Sequence, residues 1–443
     1  MISVKLKTKT EMNVSELSSF AARVCYTAEV PDDDKLIDVK SRLFEPGHHT
    51  TIEHNHFSFV LDGVSVSSIV FGMHLNAPYY NTDQRSGRFS KMYQSPDVEE
   101  IRTYLNHFYP NEDVGAAVSF IEKGMKIYRD NIAPLTDLAA KVIKEDRPCA
   151  NEKYIEQNAP KFAQEQLRMF ISQVMPTALV MTINTSALVA LWQVAWSPEM
   201  REITNQMRDE VLKVHPEISY MFDENKRQNR DWSPRMNFTS PHIHKDPTCI
   251  LQKANISEKT FVEMKNAVDI LPFSPFAMKQ NISTIQTEVE VSCATMGQDQ
   301  RHRSIRRGEP VVSGNFYLPP LLVMAGMERE GLAYIQEYAE LGKKLSPAMM
   351  TTIAPYGVMV MYQKEANLNA LLHEQGKRLC WCAQEEISEL ARQLRQQLSK
   401  IYPEIAEKLA PPCYKSGCRE GVRFCGRQLN KSLVSDYFSR RRV

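Results

Sequence analysis

The chain has 443 residues, enough for two domains of about 200 residues that each bury a sizeable core. Its 54 basic and 53 acidic residues leave a formal net charge of +1, which argues against a general nucleic-acid or acidic-membrane binder and leaves room only for local patches. No apolar run reaches the roughly 18 residues of a membrane-spanning helix, Met1-Ile2-Ser3-Val4-Lys5 is no signal peptide, and nine cysteines are an odd count, so a reduced, cytoplasmic protein is expected.

In chain order, the first informative stretch is Pro46-Gly47-His48-His49-Thr50-Thr51-Ile52-Glu53-His54-Asn55-His56-Phe57-Ser58-Phe59. A hydrophobic strand follows, then Gln84-Arg85-Ser86-Gly87-Arg88-Phe89-Ser90. Taken alone, His54 is as readily a hydrogen-bonded core histidine as a ligand. Gly115 to Lys144 reads as a helical insertion with no chemistry of its own. Arg168 closes Gln164-Glu165-Gln166-Leu167-Arg168, where helical spacing also suits an exposed residue paired with Glu165 or Gln164. Polar, proline-punctuated residues from Lys226 to Arg235 and from Ser240 to Pro247 look like a connector. Two domains are therefore expected, residues 1–240 and 241–443.

The second half opens near Cys249. Thr287-Glu288-Val289-Glu290-Val291-Ser292-Cys293 alternates polar and apolar side chains as a half-buried strand does. The run Gln300-Arg301-His302-Arg303-Ser304-Ile305-Arg306-Arg307 is then expected where that strand ends, and guanidinium forks there suit phosphate or carboxylate. By composition alone such a run more often forms a solvated or nucleic-acid-binding face. Glu309, beside Pro310, reads equally as a turn residue. Cys380 and Cys382, on a predicted helix, precede Cys413, Cys418 and Cys425 in a loop-like tail. Their spacing is not Cys-x2-Cys, so reduced structural thiols and no metal are expected.

The halves also share a frame. Asn184-Thr185-Ser186-Ala187-Leu188 is followed by Glu202-Ile203, and Asn367-Leu368-Asn369-Ala370-Leu371 by Glu386-Ile387. Both segments have helical apolar spacing. The bland reading is a buried helix repeated for architecture, and the sharper one is two diverged copies of one domain.

These motifs resemble the flavin-dependent thymidylate synthases, whose pattern is Gly-His…Glu-His…Phe-x-Phe, a strand, Arg-His-Arg and then Ser-x-Arg-Tyr. The pieces are divided between the halves. The first half has Glu53-His54 and Ser86-Gly87-Arg88-Phe89, with Asn76-Ala77-Pro78 where Arg-His-Arg belongs. The second has Arg301-His302-Arg303, with Val311 and Ser313 in place of the Ser-x-Arg pair. The family's helical Asn and the Arg that follows it are matched by Asn367 and Arg378, with His373 between, whereas the first half keeps Asn184 but has Ala190 and Ala195. The family's earlier Arg is matched by Arg168 in the first half and replaced by Thr351 in the second.

The losses are complementary, so composite sites between the halves are expected. The resemblance implies an α+β fold of two related domains, each a central antiparallel sheet with long helices, packed as a pseudo-dimer that dimerises into a pseudo-tetramer. It implies methylation of dUMP to dTMP with FAD as cofactor, NADPH as reductant and methylenetetrahydrofolate as carbon donor. On that reading Ser86, Arg88, Arg168, Gln298 and Arg378 contact dUMP, with Ser86 and Arg378 catalytic. His54, Arg301, His302, Arg303, Glu309, Asn367 and His373 surround FAD, and Arg306 and Arg307 match no ligand position. Two other classes remain. One is a nucleotide- or flavin-binding homologue that has lost turnover or acts on another pyrimidine nucleotide. The other is a nucleic-acid-binding module using Arg301 to Arg307 and the tail Ser439-Arg440-Arg441-Arg442-Val443.

Overall fold

The structure is a computed structural model that describes the chain apart from residues 33–34, 76–79, 89, 91–96, 228–232, 257–277, 279–281, 416 and 435. Asn76-Ala77-Pro78, Phe89 and part of the expected connector thus lie outside the described residues. The chain forms two compact units. The first comprises Met1–Ser86, Pro96–Val114 and Val174–Ser233, and the second Gly87–Ser95, Gly115–Gln173 and Pro234–Val443. The units are discontinuous and do not follow the expected boundary at residue 240. Arg88, Arg168, the helix Glu152–Leu167 and nearly all of the helix Val114–Asp146 come from the first half of the sequence yet belong to the second unit.

In the first unit, strands β1 (Ser3–Lys9), β2 (His56–Ser65), β3 (Tyr80–Gln84) and β4 (Pro176–Asn184) form an antiparallel sheet in the order β1-β2-β4-β3. Strand β2 shows why this segment is a strand. Phe57, Phe59 and Leu61 are buried while His56, Val60 and Asp62 face out, the alternation of a sheet with one face on the core. Its register with β4 shifts between Leu61 and Val64, where Gly63 takes a φ of +69° that a side chain would resist.

The second unit holds β5 (Arg235–Met236), β6 (Ile243–His244), β7 (Thr248–Asn255), β8 (Thr284–Ser292), β9 (Arg306–Arg307), β10 (Val311–Tyr317) and β11 (Val358–Ala366). Its sheet runs β5-β10-β11-β8-β7, with β6 also on β10 and β9 on β11. Strands β5 and β6 fall in the expected connector and pair in parallel with β10, so that segment is partly sheet. The four long strands β7-β8-β11-β10 are antiparallel neighbours in the same chain order, first, second, fourth, third, as β1-β2-β4-β3. This is an α+β fold built on one topology used twice.

The repetition extends to single hydrogen bonds. On β1, the Val4 and Leu6 amides donate to Gln206 Oε1 and Glu210 Oε2, both at 3.0 Å. On β7, the Cys249 and Leu251 amides donate to Gln393 and Gln397 Oε1, both at 2.9 Å. Each edge strand is thereby closed by two side chains one helical turn apart, which removes a pairing edge. Ser65 and Ser292 cap the helices that follow β2 and β8, and Asn184 and Asn367 accept from the Ala187 and Ala370 amides at 2.8 and 2.9 Å. The shared Asn-x-x-Ala is thus an N-cap, the architectural reading of that pentapeptide. The same clamps correct the second part of the frame. Gln206 matches Gln393 and Glu210 matches Gln397, so Glu199-Met200, not Glu202-Ile203, is the counterpart of Glu386-Ile387. Met200, Ile203, Met207 and Val211 are then buried as Ile387, Leu390, Leu394 and Leu398 are.

Candidate functional site

The Arg-rich run does not follow the strand directly: β8 ends at Ser292 and the helix Cys293–Asp299 intervenes. The loop then closes around one of its own side chains. Arg307 donates from Nε to Asp299 Oδ2 at 2.6 Å, from Nη1 to the main-chain oxygens of His302 and Ile305 at 3.2 and 2.9 Å, and from Nη2 to that of Asp299. Asp299 is fully buried and also accepts from Lys364 Nζ at 2.6 Å and Tyr362 OH at 3.0 Å, while Lys364 reaches Glu374 at 2.8 Å. Burial opposes ionisation of Asp299, but Arg307 and Lys364 outweigh it and hold the carboxyl well below its ordinary range. Arg307 is therefore structural. It shapes the loop bearing Arg301, His302 and Arg303, and the network continues into the helix Leu368–Arg378.

That helix begins at its Asn367 cap and carries His373 and Arg378. Its first-copy counterpart, Thr185–Gln193, is 9 residues long against 11, so Ala195 lies beyond its end. Arg378 is deeply buried, its pKa pushed down to about 10 by that burial, and it donates from Nη2 to the Gln298 main-chain oxygen at 2.5 Å. The Gln298 side-chain amide donates to Gln384 Oε1, which also accepts from Arg168 Nη2 at 2.9 Å. A relay Arg168–Gln384–Gln298–Arg378 therefore joins residues from both halves of the sequence within one unit. Arg168 is 5% exposed and lies over the Tyr356 ring, which excludes the reading of an exposed helix residue. Gln298 Oε1, Gln384 Nε2 and Arg378 Nε are buried without a hydrogen-bond partner among the described residues. Such groups are costly unless a ligand or water completes them.

Arg88 reaches the same region. Gln164 Nε2 donates to the main-chain oxygens of Gly87 and Ser90 at 2.9 and 2.8 Å, fixing the loop to the helix Glu152–Leu167. Arg88 then pairs through Nε with Glu165 and donates from Nη2 to the Cys382 oxygen at 3.2 Å. A cavity of about 1140 Å³ is lined by Arg88, Glu165, Arg301, Lys161, Tyr154 and Trp381, among others. Cations beside aromatic rings suit an anionic, planar ligand.

His302 is buried with its ring centroid 5.6 Å from that of His373. Burial first, then Arg378, holds its pKa well below the ordinary range, so the imidazole is neutral near pH 7. Glu385 is the opposite case. Fully buried and near Glu165 and Glu386, its carboxyl is pushed up to about 8 from 4.5. A raised carboxyl pKa contributes stability that is complete below about 4.5 and is lost as pH rises through about 8. Melting temperature should therefore fall across that window, and Glu385→Gln should flatten the fall. An unchanged slope in the variant would assign it to another group.

Of the other expected site residues, Arg303 is half-buried in the Arg307-centred loop, Glu309 is exposed between β9 and β10, and Asn367 is the N-cap already described. His54 and Ser86 belong to the first unit, the former exposed and the latter half-buried. Gln384 and Glu385 were not expected from the motifs. Gln384 occupies the N-cap position of its helix without capping it, whereas its counterpart Ser197 does cap, accepting from the Met200 amide at 3.1 Å. With the copies correctly aligned, a glutamine where the other copy keeps a serine cap is the signal that could have found it. The tail arginines are engaged within the chain: Arg440 with Asp246, Arg441 with the Trp381 and Ala383 oxygens, and Arg442 with Asp146 and Glu145. The nucleic-acid reading thereby loses its tail. Among the described residues no group of three or more His, Cys, Asp or Glu is placed to hold a metal, and no helix is long and apolar enough to cross a membrane.

Comparison with known proteins agrees with the motifs. A flavin-dependent thymidylate synthase of Clostridium tetani is 26% identical over 236 residues, covering 49% of this chain and 85% of its own. Among solved structures, the UMP/dUMP methylase PolB of Streptomyces cacaoi is 17% identical with a TM-score of 0.34, covering 50% of this chain and 94% of its own. Thymidylate synthase X of Helicobacter pylori, solved with FAD and dUMP, is 18% identical with a TM-score of 0.32, covering 51% of this chain and 99% of its own. The family described as thymidylate synthase complementing protein matches residues 7–217 and 274–404, well over half of the sequence, and the chain belongs to this family of flavin-dependent thymidylate synthases.

Proposed function

We propose that this chain methylates dUMP to dTMP at a composite site, with FAD as cofactor, NADPH as reductant and methylenetetrahydrofolate as carbon donor. The observation that carries the reading is the meeting, in one compact unit, of Arg88 and Arg168 from the first half with Gln298, Arg301 and Arg378 from the second. The residues fit the ligands chemically. Gln298 Oε1 is an uncommitted acceptor and Arg378 Nε an uncommitted donor, the pair that the imide N–H and a carbonyl of uracil require. Arg88 and Arg168 suit the phosphate and sugar, with Ser86 assigned to the same nucleotide. Arg378 would stabilise negative charge developing on the base when carbon 5 is alkylated. Arg301, Arg303 and neutral His302 and His373 would hold the flavin, with His54, Glu309 and Asn367 assigned to it as well.

When bound and reduced, FAD would relay the one-carbon unit and supply the hydride that completes the methyl group. The chain's own task is to orient the ligands and exclude water. The two sequence copies, 1–240 and 241–443, are proposed to pack as a pseudo-dimer and to associate into a homodimer, a pseudo-tetramer in the cytoplasm. The runner-up is a flavin- and nucleotide-binding homologue without turnover, suggested by Ala190 and Ala195 in the first copy. Purified protein should be yellow, and with NADPH and methylenetetrahydrofolate it should release tritium from dUMP labelled at carbon 5. A yellow protein that binds dUMP without release establishes the runner-up, and a colourless one that binds neither sinks both.

A further inference from the structure

Cys380 and Cys382 do not lie on a helix. They occupy the first and third positions of a tight turn closed by the Ala383 amide donating to the Cys380 oxygen at 2.9 Å. Such a turn brings alternate Cα atoms within the roughly 4.4–6.8 Å that a disulfide spans. The turn is gripped by guanidinium groups. Arg88 donates to the Cys382 oxygen at 3.2 Å, Arg147 to the Trp381 oxygen at 3.5 Å, and Arg441 to the oxygens of Trp381 and Ala383. Arg427 lies 4.7 Å over the Trp381 ring. Cys382 Sγ donates to the Arg423 oxygen at 3.2 Å and lines the cavity.

We propose that Cys380 and Cys382 are a reactive dithiol that hydroperoxides close to a disulfide ahead of the other cysteines, and that closure loosens the hold on Arg88. A thiolate is the nucleophile in such chemistry. The neighbouring Cys382 side chain and amide, with help from Arg441, hold the Cys380 pKa below its ordinary range, against burial and the opposing charge of Glu420. The Cys380 sulfur attacks a peroxide oxygen, the O–O bond breaks, and hydroxide leaves to take up the proton that Cys380 released. The Cys382 sulfur then displaces water from the sulfenic acid and the S–S bond forms. Two thiols are oxidised and one hydrogen peroxide is reduced to two waters. Closure pulls the Cys382 sulfur from Arg423 and re-aims the carbonyl that Arg88 grips.

The tryptic peptide Leu379–Arg392 contains both thiols and no other cysteine, so the whole protein can be treated with substoichiometric hydrogen peroxide and mapped by mass. The expected result is that this peptide becomes two hydrogens lighter before the exposed Cys25, Cys149 and Cys418 are modified, and that dithiothreitol restores it. In Cys382→Ser, Cys380 should stop at a dimedone-trappable sulfenic acid. Oxidised protein should bind dUMP several-fold more weakly, reversibly, and Cys382→Ser should be spared. Earlier oxidation of the exposed cysteines, or a closed disulfide with unchanged dUMP affinity, overturns the proposal. If the reduced protein does not bind dUMP, the proposed function fails, and the peptide mapping still decides whether the dithiol exists.

Discussion

Arg307→Ala is expected to destabilise the protein by about 3–5 kcal/mol, the cost of leaving a buried charge without its partner. Asp299 would keep Lys364 and Tyr362 but lose the guanidinium that also ties the His302 and Ile305 carbonyls into the loop. The neighbouring Arg306 is the control, since its side chain is 87% exposed and meets Glu365 at 3.4 Å. Exposed pairs of that kind contribute about 0–1 kcal/mol, so Arg306→Ala should leave the urea midpoint nearly unchanged. Equal losses from the two substitutions would mean that the Asp299 network does not form. Neither arginine matches a ligand position in the family pattern, yet only Arg306 is expected to be dispensable.

Arg88→Ala and Arg378→Ala should each weaken dUMP binding by about 2 kcal/mol, roughly 30-fold, the loss of one charge-assisted hydrogen bond. The folding consequences differ, because Arg88 neutralises Glu165 beside Glu385 whereas Arg378 is itself a buried charge. Removing Arg88 leaves Glu165 without its cation, and removing Arg378 relieves a desolvated one. Melting curves of both variants therefore accompany the binding measurement, so that a lost fold is not read as a lost contact.

The proposed site was legible as a set of candidates because Arg88, Arg168, Arg301 and Arg378 stand at the offsets of the family's arginines, and the fold places all four in one unit. The copied topology was visible only as a short helical frame, and part of that frame was misaligned. The hydrogen bonds from Gln206, Glu210, Gln393 and Gln397 to edge-strand amides set the true alignment, and no periodicity argument contains them. The same holds for Arg307. An arginine in a basic run looks like its neighbours until Asp299 and Lys364 are folded around it. Burial also decided Arg168, which helical spacing alone left free to pair with Glu165 or Gln164. The Cys380–Cys382 segment read as helix because its flanks are helical, whereas the turn depends on carbonyls captured by Arg88, Arg147 and Arg441 from distant parts of the chain. Long-range polar contacts, more than local propensity, separate what the sequence displays from what the fold does with it.

The central claim is that residues from opposite halves of the sequence hold one nucleotide. Calorimetric titration of dUMP into the wild type, Arg88→Ala, Arg378→Ala and the double variant tests it most directly. If both arginines touch the same ligand, the losses should be non-additive by at least about 0.5 kcal/mol. Purely additive losses, or full dUMP affinity in either single variant, would contradict a composite site.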